Sequence, residues 1–145
     1  MRSKKSSQEK FKQELLQGLH DLDGHTLKLA LIKSSESGTY NATSTNYSDI
    51  TGNSDEASGT GYSSGGATLG SVAITTSGTT AFVDFADVSF SNSTISASGA
   101  MIYNSSASNR AIAVISFGGT VASTAGTFTV AMPAANASEA IIRLA

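Results

Sequence analysis

The stretch RAIAVISF, Arg110–Phe117, is apolar at nearly every position. Such a run predicts a β-strand buried on both faces, within a sandwich or against another subunit. Similar short runs recur at intervals of about ten residues, separated by Gly, Ser and Asn turns that include SNST (Ser91–Thr94) and GGT (Gly118–Thr120). The predicted strands of this region are Leu69–Thr75, Thr80–Phe85, Asp87–Phe90, Gly99–Asn104, Arg110–Phe117, Gly126–Met132 and Ala140–Leu144.

This spacing is typical of β-sandwiches, jelly rolls and barrels. No helical crossover separates the strands, which argues against a parallel α/β sheet. One further strand is predicted at Thr26–Ile32, where Leu27, Leu29 and Leu31 alternate with Lys28 and Ala30. The sequence therefore predicts a mainly β protein, with a single antiparallel β-sandwich or jelly-roll-like domain and one short N-terminal helix.

The predicted helix precedes that strand. Ser6 and Glu9 have the spacing of a capping box, and Gly24 is a natural C-terminal stop. Gly18 lies in the middle, where it would weaken the helix. The helix needs a partner surface, and its predicted packing residues form one apolar stripe. These residues are Phe11, Leu15, Leu16, Leu19 and Leu22.

Charge is sparse and unevenly placed. Charged residues make up 14% of the 145 residues and the net charge is −2, yet five of the nine Lys and Arg fall within the first twelve positions. They form a candidate docking arm for a negative surface, or a solvated terminus that aids solubility. The five are Arg2, Lys4, Lys5, Lys10 and Lys12. We therefore divide the chain into a basic arm with an amphipathic helix, 1–25, and a β domain, 26–145.

A long polar region, 33–68, follows the first strand of the β domain and has few apolar residues. A segment of this length without structure is unusual in a compact domain. It is interpreted either as a surface excursion with short strands or as a segment ordered by a neighbour. The chain has no cysteine, no 18-residue apolar run and no apolar stretch typical of a signal peptide after its basic N-terminus.

The stretch GTGYSSGGAT, Gly59–Thr68, resembles a phosphate-binding loop read from Gly61. However, Ala67 replaces the lysine that would reach the phosphates, and a predicted strand follows instead of a helix. We interpret it as a structural turn whose glycines adopt backbone angles that other residues avoid, with one tyrosine to hold it to the body. The turn residues are Gly59, Gly61, Tyr62, Gly65 and Gly66.

Other candidate chemistry is sparse. HDLDGH, His20–His25, gathers two imidazoles and two carboxylates, but at a helix end, where they point in different directions. Asp84 and Asp87 would lie on opposite faces of a strand. No nucleophile motif is present. We therefore predict no enzyme activity, no catalytic residues, no metal site and no cofactor, and the β body lacks the interleaved aromatic and basic residues of a nucleic-acid binder.

Several segments, in order, resemble a family of small virion structural proteins of tailed bacteriophages, common in marine and cyanobacterial phages. They are F-x-x-E-L-L-x-G-L-H-D-L, H-T-L-K-L-A-L, G-T-G-Y-x-x-G-G-x-x-L, T-T-A-F-V-D-F-A-D-V-S-F, G-A-M-I-Y-N with N-R-A-I-A-V-I-S-F-G, and G-T-F-T-V-A-M-P with A-I-I-R-L-A. The resemblance spans Phe11 to Ala145 and rests on the ordered set, since no single motif is specific.

This resemblance implies a non-enzymatic virion protein made in the host cytoplasm, and we favour a capsid decoration, or cement, protein on the capsid surface. The expected partners are the major capsid protein or other virion proteins, and further copies of the chain, with a trimer favoured. We expect no small-molecule substrate and no membrane partner. The hypothesis is that Arg2–Leu22 or Lys33–Thr68 docks on the shell and the β body self-associates.

Two alternatives remain open. One is a neck, tail or fibre-associated virion component. The other is a carbohydrate-binding adhesion module, because jelly rolls often bind sugars and tyrosines can stack on sugar rings. The candidate stacking residues are Tyr40, Tyr47, Tyr62 and Tyr103, although the chain has no Trp.

Overall fold

The computed structural model describes residues 4–144 and confirms the predicted fold class. The protein is mainly β, every strand pairing is antiparallel, and a short helix lies near the N-terminus. A second helix of five residues lies in the long polar region. The elements are β1 (Lys4–Ser7), α1 (Glu9–Leu16), β2 (Leu27–Lys33), α2 (Ser48–Gly52), β3 (Ala67–Thr68), β4 (Ala73–Ser77), β5 (Thr80–Asp84), β6 (Val88–Asn104), β7 (Arg110–Val130) and β8 (Ile142–Leu144).

The strands form two sheets. The larger sheet has the order β1-β7-β6-β2-β3, and the smaller has the order β4-β5-β8. A long hairpin of β6 and β7 is the centre of the larger sheet, and it extends well beyond the part of β6 that pairs with β2. The main core joins side chains of both sheets and of α1, which makes the arrangement sandwich-like.

Two predicted turns are wrong, because both stretches lie within this hairpin. SNST and GGT lie inside β6 and β7, so each of these strands joins two strands that were predicted separately. The pairing register shifts between Phe90 and Ser93, and Asn92 and Ala125 have positive φ of 49° and 45°. Such irregularities are β-bulges, which bend a strand without ending it. Turn-forming residues therefore mark bends in this hairpin instead of chain reversals.

Both predicted ends of the helix also differ from those of α1. Ser6 lies in β1 opposite Val114, so it does not cap the helix; Gln8 is the N-cap residue, without a side-chain cap hydrogen bond. The helix ends at Leu16, because Gly18 has φ +76° and the following amide bonds back to the Glu14 carbonyl. This is a Schellman ending, for which glycine is the favoured residue.

The early end of α1 divides its predicted apolar stripe. Phe11 and Leu22 are buried and Leu15 packs partly against the core. Leu16, the last residue of α1, is 88% exposed, and Leu19, which lies beyond the helix end, is 37% exposed.

Both faces of the larger sheet are covered around β2 and the adjoining parts of β6 and β7. Leu27, Leu29 and Leu31 of β2 face the main core. The opposite face carries a second, smaller core, to which the polar region contributes Ile50 from α2 together with Tyr40 and Tyr47. The remaining members of this second core are Ile32, Met101, Ala111 and Val114. The polar region is thus a layer of the fold, and we call residues 34–66 the covering layer.

Candidate functional site

Asp55 is the buried centre of the covering layer. Its side chain is fully buried, and it accepts hydrogen bonds from the Ser37 amide at 2.9 Å, the Gly38 amide at 2.8 Å and the Tyr40 hydroxyl at 2.5 Å. The Lys33 ammonium lies 3.6 Å away. Burial alone would raise the pKa of Asp55, but the hydrogen bonds from Tyr40, Ser37 and Gly38 outweigh it and hold that pKa well below its usual range. Asp55 is therefore an ionised buried carboxylate that fixes the start of the layer.

Glu56, the next residue, fixes the other end of the layer. Its two carboxylate oxygens accept hydrogen bonds from the hydroxyls of Tyr47 at 2.6 Å and Tyr62 at 2.5 Å, and from the Gly65 amide at 2.8 Å. The Ser64 hydroxyl adds a fourth bond at 3.1 Å. Adjacent acids thus hold opposite ends of one segment, Asp55 near Ser37 and Glu56 near Gly65.

All four tyrosines of the chain belong to this layer or contact it. Tyr47 stacks on Tyr103 with ring centroids 4.5 Å apart, and the Tyr103 hydroxyl donates to the Gly65 carbonyl at 2.6 Å. Burial raises the pKa of Tyr40 and of Tyr103 to about 12, and the neighbouring carboxylates add to both shifts. Burial, with a hydrogen bond to Glu56, also raises the pKa of Tyr47 and of Tyr62. The phenols are therefore neutral donors; those of Tyr40, Tyr47 and Tyr62 bond to the two acids, and that of Tyr103 bonds to a backbone carbonyl.

A second ionisable cluster joins α1 to the β6–β7 hairpin. The Glu14 carboxylate lies 3.0 Å from His20 Nε2 and 3.2 Å from Arg110 Nε. The Asn104 amide nitrogen lies 3.0 Å from Nδ1 of His20 and 3.0 Å from Nδ1 of His25. Because Asn104 Oδ1 accepts the Ser106 amide at 3.0 Å, the amide nitrogen must face the two imidazoles. Both histidines then accept at Nδ1, and His20 donates from Nε2 to Glu14.

This cluster has histidine and carboxylate side by side, but its geometry is that of a structural tie. The His20 side chain is fully buried and both of its ring nitrogens are engaged by protein partners. Its ring also packs edge-on against Phe11 with centroids 5.0 Å apart. Removing either ring nitrogen from its partner would leave a buried polar atom unsatisfied, so the cluster stabilises the docked helix.

The predicted HDLDGH group is split by this arrangement. His20 and His25 meet at Asn104, whereas Asp21 accepts the Gly24 amide at 3.2 Å and Asp23 is exposed. Among residues 4–144, no three His, Asp or Glu side chains are grouped as ligands for a metal ion.

The predicted docking arm is partly a strand. Residues 4–7, which include Lys4 and Lys5, pair with β7 from Ser116 to Ala113. Lys10 and Lys12 lie exposed on α1, and Lys10 donates to Gln13 at 3.2 Å. Arg2 lies outside the described residues. Exposed basic side chains therefore occur on α1, close in sequence to the exposed Leu16.

The glycine-rich turn is the last part of the covering layer and leads directly into β3. The Tyr62 hydroxyl accepts the Leu31 amide at 3.0 Å and its ring packs against Phe90, so this tyrosine contacts the body at two places. Gly66 has φ +81°, and a Cβ atom there would fall on the Leu29 carbonyl. Glycine is required at this position because the turn passes directly over the β2 backbone. Gly59, Gly61 and Gly65 also have positive φ.

Two open, mostly polar grooves border the covering layer. One, of about 470 Å³, is lined by Tyr40, Asp49 and Asn53 together with Thr and Ser side chains. The other, of about 210 Å³, lies between Tyr40 and the Ser98–Gly99 part of β6. Tyr40 borders both grooves. Its hydroxyl, like those of Tyr47, Tyr62 and Tyr103, is bound within the layer.

Strand β4 is the surface feature that the sequence did not single out. All five of its residues are exposed, and none is charged. Ile74 is 50% exposed, and Leu144 of β8, in the same sheet, is 53% exposed. The available signal was the absence of Lys, Glu, Asp and Pro from Val72–Thr80, since natural edge strands often carry such residues.

Comparison of the chain with protein-family models, with curated proteins and with solved structures gave no match. No helix in the described part of the chain is long and apolar enough to cross a membrane.

Proposed function

We propose that this chain is a non-enzymatic structural protein of a tailed-phage particle, and specifically a decoration protein that binds and stabilises the capsid shell. The proposal rests on one observation, namely that the buried ionisable groups are engaged in bonds that hold the fold together. Asp55, Glu56 and the Glu14–His20 pair are held in hydrogen bonds that tie a loop layer and a helix to the sheet. The arrangement supports an assembly role, because these groups stabilise the fold and the accessible surface is rich in small hydroxyl side chains.

The proposed contact with the shell is the exposed side of α1. Lys10, Lys12 and Leu16 are exposed on α1 together with Glu9, so two basic groups and one large apolar side chain are available beside one acid. Such a surface fits an acidic partner with an apolar patch, since opposite charges steer association and the apolar contact adds affinity. The covering layer is the weaker candidate for docking, because Asp55 and Glu56 already hold it against the sheet.

The proposal is tested by counting copies of the protein in purified particles by quantitative mass spectrometry. A copy number that matches the capsid lattice is expected. A number that scales with tail length, or one that matches a single ring at the neck, would replace the decoration role by one of the alternative virion positions. Absence from the particle would contradict the whole proposal.

The docking surface is tested separately by reversing its charges. The double variant Lys10→Glu, Lys12→Glu should reduce occupancy on particles, because it reverses two exposed charges without altering buried groups. Arg143→Glu is a control for charge reversal away from α1, since it reverses a single exposed charge on β8. Equal occupancy of the double variant and the wild type would exclude α1 as the contact.

A further inference from the structure

Strand β4 has one paired side and one open side. It pairs with β5 from Ala73–Asp84 to Ser77–Thr80, and within residues 4–144 it forms the edge of the smaller sheet. An edge strand presents a row of backbone N–H and C=O groups that can pair with another strand. Charged residues, proline or a covering loop usually protect such an edge, and β4, with the sequence AITTS, carries no charge and no proline.

The hairpin geometry shows which backbone groups point outward. The loop between β4 and β5 has two residues, and Gly78 at its first position has φ +60°, as a type II′ turn requires. Ser77 and Thr80 are therefore the hydrogen-bonded closing pair, and hydrogen-bonded pairs alternate along the hairpin. Ser77, Thr75 and Ala73 bond to β5, so the amides and carbonyls of Ile74 and Thr76 point away from the sheet.

These outward groups suit pairing with the same strand in another molecule. If two copies of β4 lie antiparallel about a two-fold axis at Thr75, Ile74 of each copy lies opposite Thr76 of the other. Each such pair exchanges two backbone hydrogen bonds, which gives four in total. Thr75 lies opposite its own copy as the non-hydrogen-bonded pair between them. The register is self-complementary and brings no charged side chains of β4 together, because the strand has none.

We propose that β4 pairs with β4 of a second copy in this two-fold register, which joins two three-stranded sheets into one of six strands. A second copy fits better than an unrelated strand, because the outward groups and the uncharged side chains match themselves in one register. The pairing also places the half-exposed Ile74 beside Thr76 of the other copy, and β-branched cross-strand pairs of this kind stabilise sheets.

The expected dimer is weak in solution. Five edge residues per chain bury far less than the roughly 1,200 Å² of a standard stable interface, so dissociation is expected in the micromolar range or above. A two-fold contact of this kind closes as a dimer, whereas the trimer expected from the family resemblance would need a different contact. The pairing does not depend on the proposed role in a phage particle, because it follows from β4 alone.

Disulfide trapping tests the register directly, since the chain has no cysteine. In a non-hydrogen-bonded antiparallel pair the Cα atoms lie about 4.5 Å apart, within the roughly 4.4–6.8 Å that a disulfide spans. Thr75→Cys should therefore form a disulfide-linked dimer under mild oxidation. Thr76→Cys is the matched control one residue along, because residue 76 lies opposite residue 74 and not opposite itself. Thr79→Cys, in the hairpin loop, controls for random collision.

Rapid and nearly complete linking of Thr75→Cys, with little linking of both controls, is the expected result. Equal linking of Thr75→Cys and Thr76→Cys would overturn the register, and no linking of Thr75→Cys in a chain with wild-type circular dichroism would overturn the pairing.

Sedimentation velocity provides the second measurement. The wild type should shift from monomer towards dimer as its concentration rises to several hundred micromolar, and Thr75→Lys should stay monomeric because two lysines would face each other across the axis. Thr79→Lys adds the same charge in the loop and should dimerise like the wild type. An equimolar mixture of Thr75→Lys and Thr75→Glu should restore the dimer. A wild type that remains monomeric, or that forms trimers, would overturn the proposal.

Discussion

Replacing Asp55 by Asn is the sharpest test of how the covering layer is held. The substitution keeps the size of the side chain but turns one acceptor oxygen into an NH₂ group. In one orientation the new group faces the Ser37 amide, and in the other it faces both the Gly38 amide and the Tyr40 hydroxyl. At least one hydrogen bond to a charged acceptor is therefore lost in a fully buried place, and the others lose their charge.

A hydrogen bond to a charged group contributes about 1.5–3 kcal/mol, and a donor left unsatisfied adds a desolvation penalty. We expect Asp55→Asn to lower the free energy of unfolding by about 3 kcal/mol at pH 7, equivalent to a decrease of roughly 6–12 °C in Tm for a domain of this size. Urea unfolding followed by tyrosine emission measures this change, because the chain has no Trp and its four tyrosines lie in or against the layer. Asp84→Asn makes the same change at an exposed site and should alter stability by less than about 0.5 kcal/mol.

The difference between wild type and Asp55→Asn should also depend on pH. The pKa of Asp55 is lowered in the folded state, so its stabilisation is present above the unfolded pKa of about 3.9 and is lost as pH falls below that value. The advantage of the wild type should shrink by about 1.4 kcal/mol for each pH unit below that point. A loss under 1 kcal/mol at pH 7, or a difference that is the same at pH 3 and pH 7, would refute the assignment of Asp55 as an ionised buried acceptor.

Three further outcomes are expected. Burial raises the pKa of Tyr40 and Tyr103 to about 12, so the stability that these neutral phenols contribute is complete below about pH 10 and is lost as pH rises through 12. Absorbance titration at the tyrosinate band should give a higher midpoint for folded than for urea-unfolded protein. Coincident titration curves would contradict this. Gly66→Ala should destabilise the protein by several kcal/mol in urea unfolding, because of its positive φ and the clash with the β2 backbone, whereas Gly70→Ala, with open space around its Cβ position, should be nearly neutral. Glu14→Gln should lower the free energy of unfolding by about 2 kcal/mol and speed amide exchange in α1, since it removes the charged acceptor that His20 and Arg110 share. Unchanged exchange would show that these contacts do not hold the helix.

The fold class and most strand positions could be predicted because they depend on local pattern. Apolar alternation in Leu27–Ile32 and the continuous run Arg110–Phe117 predict strands regardless of their partners, and both are strands in the structure. The predictions were wrong where the same local residues are compatible with two structures, a turn or a bulge. Asn and Gly within β6 and β7 produce bulges, not chain reversals, because the neighbouring strand continues the pairing on both sides of each bulge.

The helix shows the same limit. Gly24 was predicted to end the helix, but the helix ends before Gly18, and beyond it His20 bonds to Asn104 of the hairpin while Leu22 is buried in the core. Ser6 has capping spacing, but its backbone pairs with β7 instead. Neither choice could be made from residues 1–25 alone, since the partners Asn104 and Val114 lie far along the chain.

The sequence by itself determined an antiparallel β protein, because strand patterning, turn composition and the lack of helical crossovers are local properties. Only the tertiary structure decided the role of the polar region 34–66. Its few apolar residues could not indicate that it covers the sheet. In the structure, Asp55 and Glu56 accept hydrogen bonds from backbone amides and tyrosine hydroxyls at both of its ends. The tertiary structure also left β4 at a sheet edge, since only the order of the strands in space shows which backbone groups remain available for a partner.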